Sequence, residues 1–101
     1  MAAVRFSSQA EEDVAELLAY VARDSMGRAR ALFARIQKCL RVLEQFPLTG
    51  RERPEYWHVV PGMRSIPVAP IVICYTYDAM TDIVQIGRII DGRRDFGTLF
   101  A

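Results

Sequence analysis

Ile71-Val72-Ile73-Cys74-Tyr75-Thr76-Tyr77, then Asp78-Ala79-Met80-Thr81-Asp82, then Ile83-Val84-Gln85-Ile86-Gly87-Arg88-Ile89-Ile90 is the stretch whose reading decides the fold. The two outer runs are built from the residue types that suit a pleated, half-buried surface. The polar segment between them is short enough to be a hairpin loop, which makes the runs antiparallel neighbours. A third strand-like run, Met63 to Val68, follows Gly62. Upstream of it, residues 47–62 are punctuated by prolines and glycines around Tyr56, Trp57 and His58, and read as an irregular loop.

Further out the period changes. Ala29, Leu32, Phe33, Ile36, Leu40 and Leu43 recur at spacings of three and four, one apolar stripe of an amphipathic helix. Arg28, Arg30, Arg35, Lys38 and Arg41 fall between them and give that helix a basic back. Phe46-Pro47-Leu48-Thr49-Gly50 ends it. An earlier stripe, Ala10, Val14, Leu17, Leu18 and Val21, marks a first helix. Its start reads as a capping box, Ser8-Gln9-Ala10-Glu11, in which Ser8 accepts from the first turn and Glu11 reaches back. Glu11, Glu12 and Asp13 sit where the helix dipole favours negative charge. Asp24-Ser25-Met26-Gly27 separates the helices, which should pair as an antiparallel hairpin. Val4-Arg5-Phe6 is a brief first strand. The order is β-α-α-β-β-β: an α+β fold with a helical hairpin on one face of a small antiparallel sheet. Leu17, Leu18, Ile36, Leu40, Ile73 and Ile86 should be buried together.

A chain of 101 residues, 51% hydrophobic and 25% charged, is expected to form one domain spanning residues 1–101. No apolar run reaches the length of a membrane span, and the start lacks the pattern of a signal peptide, so a cytoplasmic location without membrane contact is expected. Cys39 and Cys74 lie among apolar residues and read as free buried thiols. With one histidine and two isolated cysteines, neither a metal site nor a cofactor is expected. The net charge of +1 announces no nucleic acid, but charge is unevenly spread. Residues 1–24 carry two arginines against five acids, whereas residues 25–53 carry six arginines and Lys38 against two acids. That basic stretch is either a solvated helix face or a docking surface for an acidic partner.

Three pieces of the last third, taken in order, carry a family resemblance: Gly62-Met63-Arg64, Ile71 to Tyr77 with its I-x-Y pattern, and Ile86-Gly87-Arg88-Ile89-Ile90-Asp91-Gly92-Arg93-Arg94-Asp95. Together with Ser8–Leu18 and Pro47-Leu48-Thr49-Gly50-Arg51, this ordered set resembles toxins of the RelE/ParE superfamily, and within it the ParE-like branch. The resemblance implies a small cytosolic toxin of a type II toxin–antitoxin system that blocks DNA gyrase with its DNA cleaved and unsealed. It also implies a co-encoded ParD-like antitoxin, which wraps a flexible C-terminal segment around the toxin. Operator DNA would be met only indirectly, through that antitoxin.

The sister branch, resembling RelE, cuts messenger RNA in the ribosomal A site. Such chemistry needs a base for the 2′-hydroxyl, cations for the phosphorane and an acid for the leaving oxygen. Here Arg51, Arg64 and Arg88, with Arg53 nearby, would be the catalytic cations of an endoribonuclease. After Arg94, however, come Asp95, Phe96, Gly97, Thr98, Leu99, Phe100 and Ala101, which offer no Tyr or His. Tyr75 and Tyr77 in the strands and His58 in the loop are the groups that could substitute. The non-enzymatic reading assigns Arg64, Arg88, Arg93 and Arg94 to the target and Arg28, Arg30, Arg35, Lys38 and Arg41 to the antitoxin. Arg64 and Arg88 could face one cavity across neighbouring strands, or Arg88 could simply pair with Asp91 or Asp95. A third reading is a weakly toxic or inactive protein that binds an antitoxin and represses its operon.

Overall fold

The computed structural model describes residues 1–92 and 99–100. The elements follow the order β1 (Ala3–Phe6), α1 (Ser8–Asp24), α2 (Met26–Gln45), β2 (Arg51–Glu52), a 3-10 turn (Pro54–Tyr56), β3 (Arg64–Val68), β4 (Ile71–Asp78) and β5 (Ile83–Asp91). They form a five-stranded sheet in the order β1-β5-β4-β3-β2, with the helical hairpin on one face, an α+β fold.

Three features depart from the sequence expectation. First, β1 pairs with β5 in parallel, Val4 opposite Val84 and Phe6 opposite Ile86, so the sheet is mixed. A parallel neighbour needs a long crossover, and the whole chain from α1 to β4 supplies it. Second, residues 47–62 are not all irregular: Arg51 and Glu52 pair with Ser65 and Arg64 as an edge strand. Third, the helix α1 cap is Ser7 rather than Ser8. Ser7 Oγ accepts from Ala10 N–H at 3.0 Å and donates to the Gly87 carbonyl at 2.8 Å, so one hydroxyl starts the helix and ties it to β5. Ser25 alone connects the helices. Its N–H closes α1 on Val21, and its side chain accepts from Arg28 N–H at 3.1 Å to open α2.

The principal core joins Leu32, Ile36, Cys39 and Leu43 of α2 to Ile71, Ile73, Tyr75, Val84, Ile86 and Ile89 of the sheet. Leu17, Leu18 and Leu40 pack against it, half-buried. Phe33, expected inside, is 45% exposed, and Cys39 takes the inward place on the stripe. A smaller core on the opposite face holds Met63, Cys74, Ile90 and Phe100, with Tyr56, Val60, Val72 and Leu99 against it. Both faces of the central strands are therefore covered. Among the described residues no helix is long and apolar enough to cross a membrane.

One irregularity positions the site. Cys74 pairs with Arg88 but Tyr75 with Ile86, so Gly87 is an extra residue in β5. A bulge of this kind reverses which face each later side chain takes. Strict alternation from Val84 and Ile86 would have sent Arg88 and Ile90 toward the helices. With the bulge, Ile89 joins the helix-side core and Ile90 the opposite one.

Candidate functional site

Beyond Phe6 the strand β1 ends, leaving the last part of β5 without a neighbour on that side. Helix α1 fills the gap with a side chain. Asp13 Oδ2 accepts from Ile89 N–H at 3.0 Å and from Arg88 Nε at 2.8 Å, while Oδ1 accepts from Arg88 Nη2 at 3.3 Å and Gln9 Nε2 at 3.0 Å. The carboxylate does what a strand carbonyl would do, and it does so with a charge. Burial alone would raise the Asp13 pKa. The hydrogen bonds from Arg88, Ile89 and Gln9, with the Arg88 charge, outweigh burial and hold it below the ordinary carboxylate value. The same pairing raises the Arg88 pKa further. Among the described residues the ionic partner of Arg88 is thus Asp13 on α1 rather than the strand-end Asp91; Asp95 lies outside the described residues. Arg88 lines two hollows. One lies beside α1, with Asp13, Tyr20, Arg23, Ile71 and Asp91; the other lies on the opposite side, with Val60, Met63, Cys74, Gly87 and Phe100.

Arg64 sits elsewhere, on β3 with β4 between it and β5, so the two arginines do not face each other across neighbouring strands. Arg64 Nη1 donates to the carbonyls of Gly50 at 2.9 Å and Leu48 at 3.2 Å, and Nη2 meets Glu52 at 3.1 Å. Beside it, Tyr75 Oη donates to the Pro47 carbonyl and accepts from Gly50 N–H, both at 2.8 Å. The Pro47–Gly50 turn is therefore gripped by one guanidinium and one phenol. Gly50 permits the grip because a Cβ there would lie 2.6 Å from the Tyr75 ring. Burial raises the Tyr75 pKa, and the Gly50 N–H and Arg64 only partly offset it.

Arg51 is exposed on β2, and His58 is exposed in the turn after the 3-10 segment. Arg53 Nη1 donates to Ser65 Oγ at 3.0 Å, and its guanidinium lies 5.3 Å from the centre of the Tyr56 ring. Tyr77 Oη donates to Asp82 at 2.7 Å, and that bond raises its pKa. Cys39 and Cys74 are free and buried. Burial pushes the Cys74 thiol up to about 11, against the lowering influence of Arg53 and Arg88. Arg93 and Arg94 lie outside the described residues. On α2, Arg28, Arg30, Arg35, Lys38 and Arg41 are all exposed, as their spacing requires. Arg35 has a second use, since it donates to the Ala69 carbonyl in the β3–β4 turn.

The fold and these contacts account for the ordered motifs: the P-x-x-G turn closes on the I-x-Y tyrosine, and the arginine of β3 holds the carbonyls of the same turn. The chain belongs to the ParE toxin family. The family model for the ParE toxin of type II toxin–antitoxin systems, parDE, matches residues 4–96. Among solved structures the chain is similar to one from the chromosomal ParDE TA system of P. aeruginosa. The TM-score is 0.67 at 22% identity, over 90% of this chain and 96% of that one, a likeness of fold. No curated protein matches.

Proposed function

We propose that this ParE-family toxin acts by binding DNA gyrase and stalling it with its DNA cleaved, that it does not cut RNA, and that a co-encoded ParD-like antitoxin neutralises it. The observation that carries this reading is that, apart from the exposed Arg51 and His58, the candidate groups for RNA cleavage are engaged within the protein. Tyr75 Oη spends both hydrogen-bonding directions on the Pro47–Gly50 turn. Tyr77 is held by Asp82, Arg88 by Asp13, and Arg64 by two carbonyls and Glu52. A proton-transfer catalyst must reach the substrate's proton, and a buried hydroxyl with two internal partners does not. Residues 95–101 contain no Tyr or His.

In this reading Arg93 and Arg94, which follow β5, make the principal target contacts. Arg64 and Arg88, whose side chains are 19% and 25% exposed, act chiefly by holding the turn and the strand end. The antitoxin is drawn to the exposed cations of α2 by an acidic, amphipathic segment that orders on the toxin. Apolar anchors supply most of its affinity, because exposed charge pairs are individually weak.

The deciding experiment adds purified protein to gyrase supercoiling and to cell-free translation in parallel. The expected result is lost supercoiling with accumulated cleaved DNA, and translation unchanged. Codon-positioned cleavage of ribosome-bound message would overturn the proposal and move Arg51, Arg64 and Arg88 into catalytic roles. Silence in both assays would favour a co-repressor that only binds an antitoxin.

A further inference from the structure

The outward side of the helical hairpin carries opposite charges on its two helices. On α1 the exposed charged residues are Glu11, Glu12, Glu16 and Asp24 against Arg23; on α2 they are Arg28, Arg30, Arg35, Lys38 and Arg41. Between these charges Ala15 and Ala19 are exposed on α1 and Ala31 and Ala34 on α2, with the exposed ring of Tyr20 beside Ala31. A two-fold interface must be self-complementary, the same patch meeting itself with its halves exchanged. This patch meets that condition, because its acidic half is the complement of its basic half.

We propose that the hairpin face is an interface between two copies of this chain, α1 of each lying antiparallel over α2 of the other. A two-fold axis running along the hairpin keeps residues at equal distance from the Ser25 connection level with one another. Glu12 then lies opposite Lys38 of the other copy, Glu16 opposite Ala34, and Ala19 opposite Ala31. Alanine against alanine allows the helices to approach, and the end far from Ser25 brings Glu12 of each copy to Lys38 of the other. The helices are 17 and 20 residues long, so the shared face runs for about 25 Å. Two helices wide, it covers on the order of 1,000 Å² over both copies, the lower end of what a specific association needs. The dimer is accordingly weak and salt-sensitive. Because it uses the cations assigned above to the antitoxin, the two partners compete for α2; the dimer itself does not depend on that assignment.

Sedimentation of the whole chain at micromolar concentrations tests the proposal. At low salt the wild type should approach twice its 11.5 kDa mass, and it should return to the monomer as salt rises. Glu12→Lys with Glu16→Lys places cations on both helices at the end of the face far from Ser25, and Lys38→Glu with Arg41→Glu places acids on both helices there. Each double variant alone should be monomeric, with unchanged circular dichroism. Their equimolar mixture should recover the doubled mass, since the cations at that end of one variant then meet the acids of the other. A wild type that stays monomeric throughout would overturn the proposal and leave α2 to the antitoxin. Variants that dimerise alone, or a mixture that fails to pair, would do the same. The wild-type measurement stands even if a variant does not fold.

Discussion

Asp13 Oδ2 accepts at once from the Arg88 guanidinium, at 2.8 Å, and from the backbone N–H of Ile89, at 3.0 Å. A helix carboxylate thus replaces the strand that β5 lacks after Phe6. Asp13→Ala should destabilise the protein by about 2–3 kcal/mol, since it strands a strand N–H and a partly buried arginine together. Asp13→Asn, which keeps an acceptor but loses the charge, should cost less. The pH dependence follows from the lowered Asp13 pKa. Its stabilisation is complete above the ordinary value of 3.8 and is lost as pH falls through the lower folded value. Urea unfolding of wild type and Asp13→Asn should therefore differ at pH 6 and converge in strong acid. A constant difference down to pH 2 would show that charge plays no part.

The Pro47–Gly50 turn depends on the Tyr75 hydroxyl. Tyr75→Phe should cost about 1–3 kcal/mol by leaving the Gly50 N–H and the Pro47 carbonyl without that partner. Gly50→Ala should cost about 3 kcal/mol, because its Cβ would meet a ring that is 1% exposed and has no room to withdraw. Thermal unfolding of the two variants gives the order; a Gly50→Ala protein as stable as wild type would refute the close approach.

Arg88 and Arg93–Arg94 should separate structure from target binding. At a temperature where Arg88→Gln is fully folded, its inhibition of supercoiling should stay within about threefold of wild type. The double variant Arg93→Gln with Arg94→Gln should lose about tenfold or more, on the order of 1.4 kcal/mol. Equal losses in both would place Arg88 in direct contact with the target.

Association with the antitoxin should be fast and salt-sensitive if the α2 cations steer it. Arg35 is unsuitable for the test, since its contact with the Ala69 carbonyl also supports the β3–β4 turn. Replacing Arg30, Lys38 and Arg41 with Gln should slow association about tenfold at low salt and leave dissociation within about twofold. An unchanged association rate would reduce the basic back to a solvated face.

What the sequence determined alone is what local periodicity encodes. Spacings of three and four set two helices, and Ser25 together with the neighbouring polar residues set the break between them. The runs at Arg64–Val68, Ile71–Asp78 and Ile83–Asp91 were legible because β-branched residues and a short loop leave little else for them to form. The basic back of α2 was equally legible, since exposure on an amphipathic helix is a matter of angle. The tertiary structure alone decided what depends on residues far apart in the chain. Ser7 became the cap in place of Ser8 because its hydroxyl also reaches Gly87, 80 positions away. The Gly87 bulge, which a pattern of alternation does not announce, chose the face of every later β5 side chain. Arg88 meets Asp13 of α1, 75 positions back, a pairing that local spacing does not indicate. Such pairings form because a buried donor or charge must find a partner in three dimensions, and nothing in local spacing says which one the fold will bring.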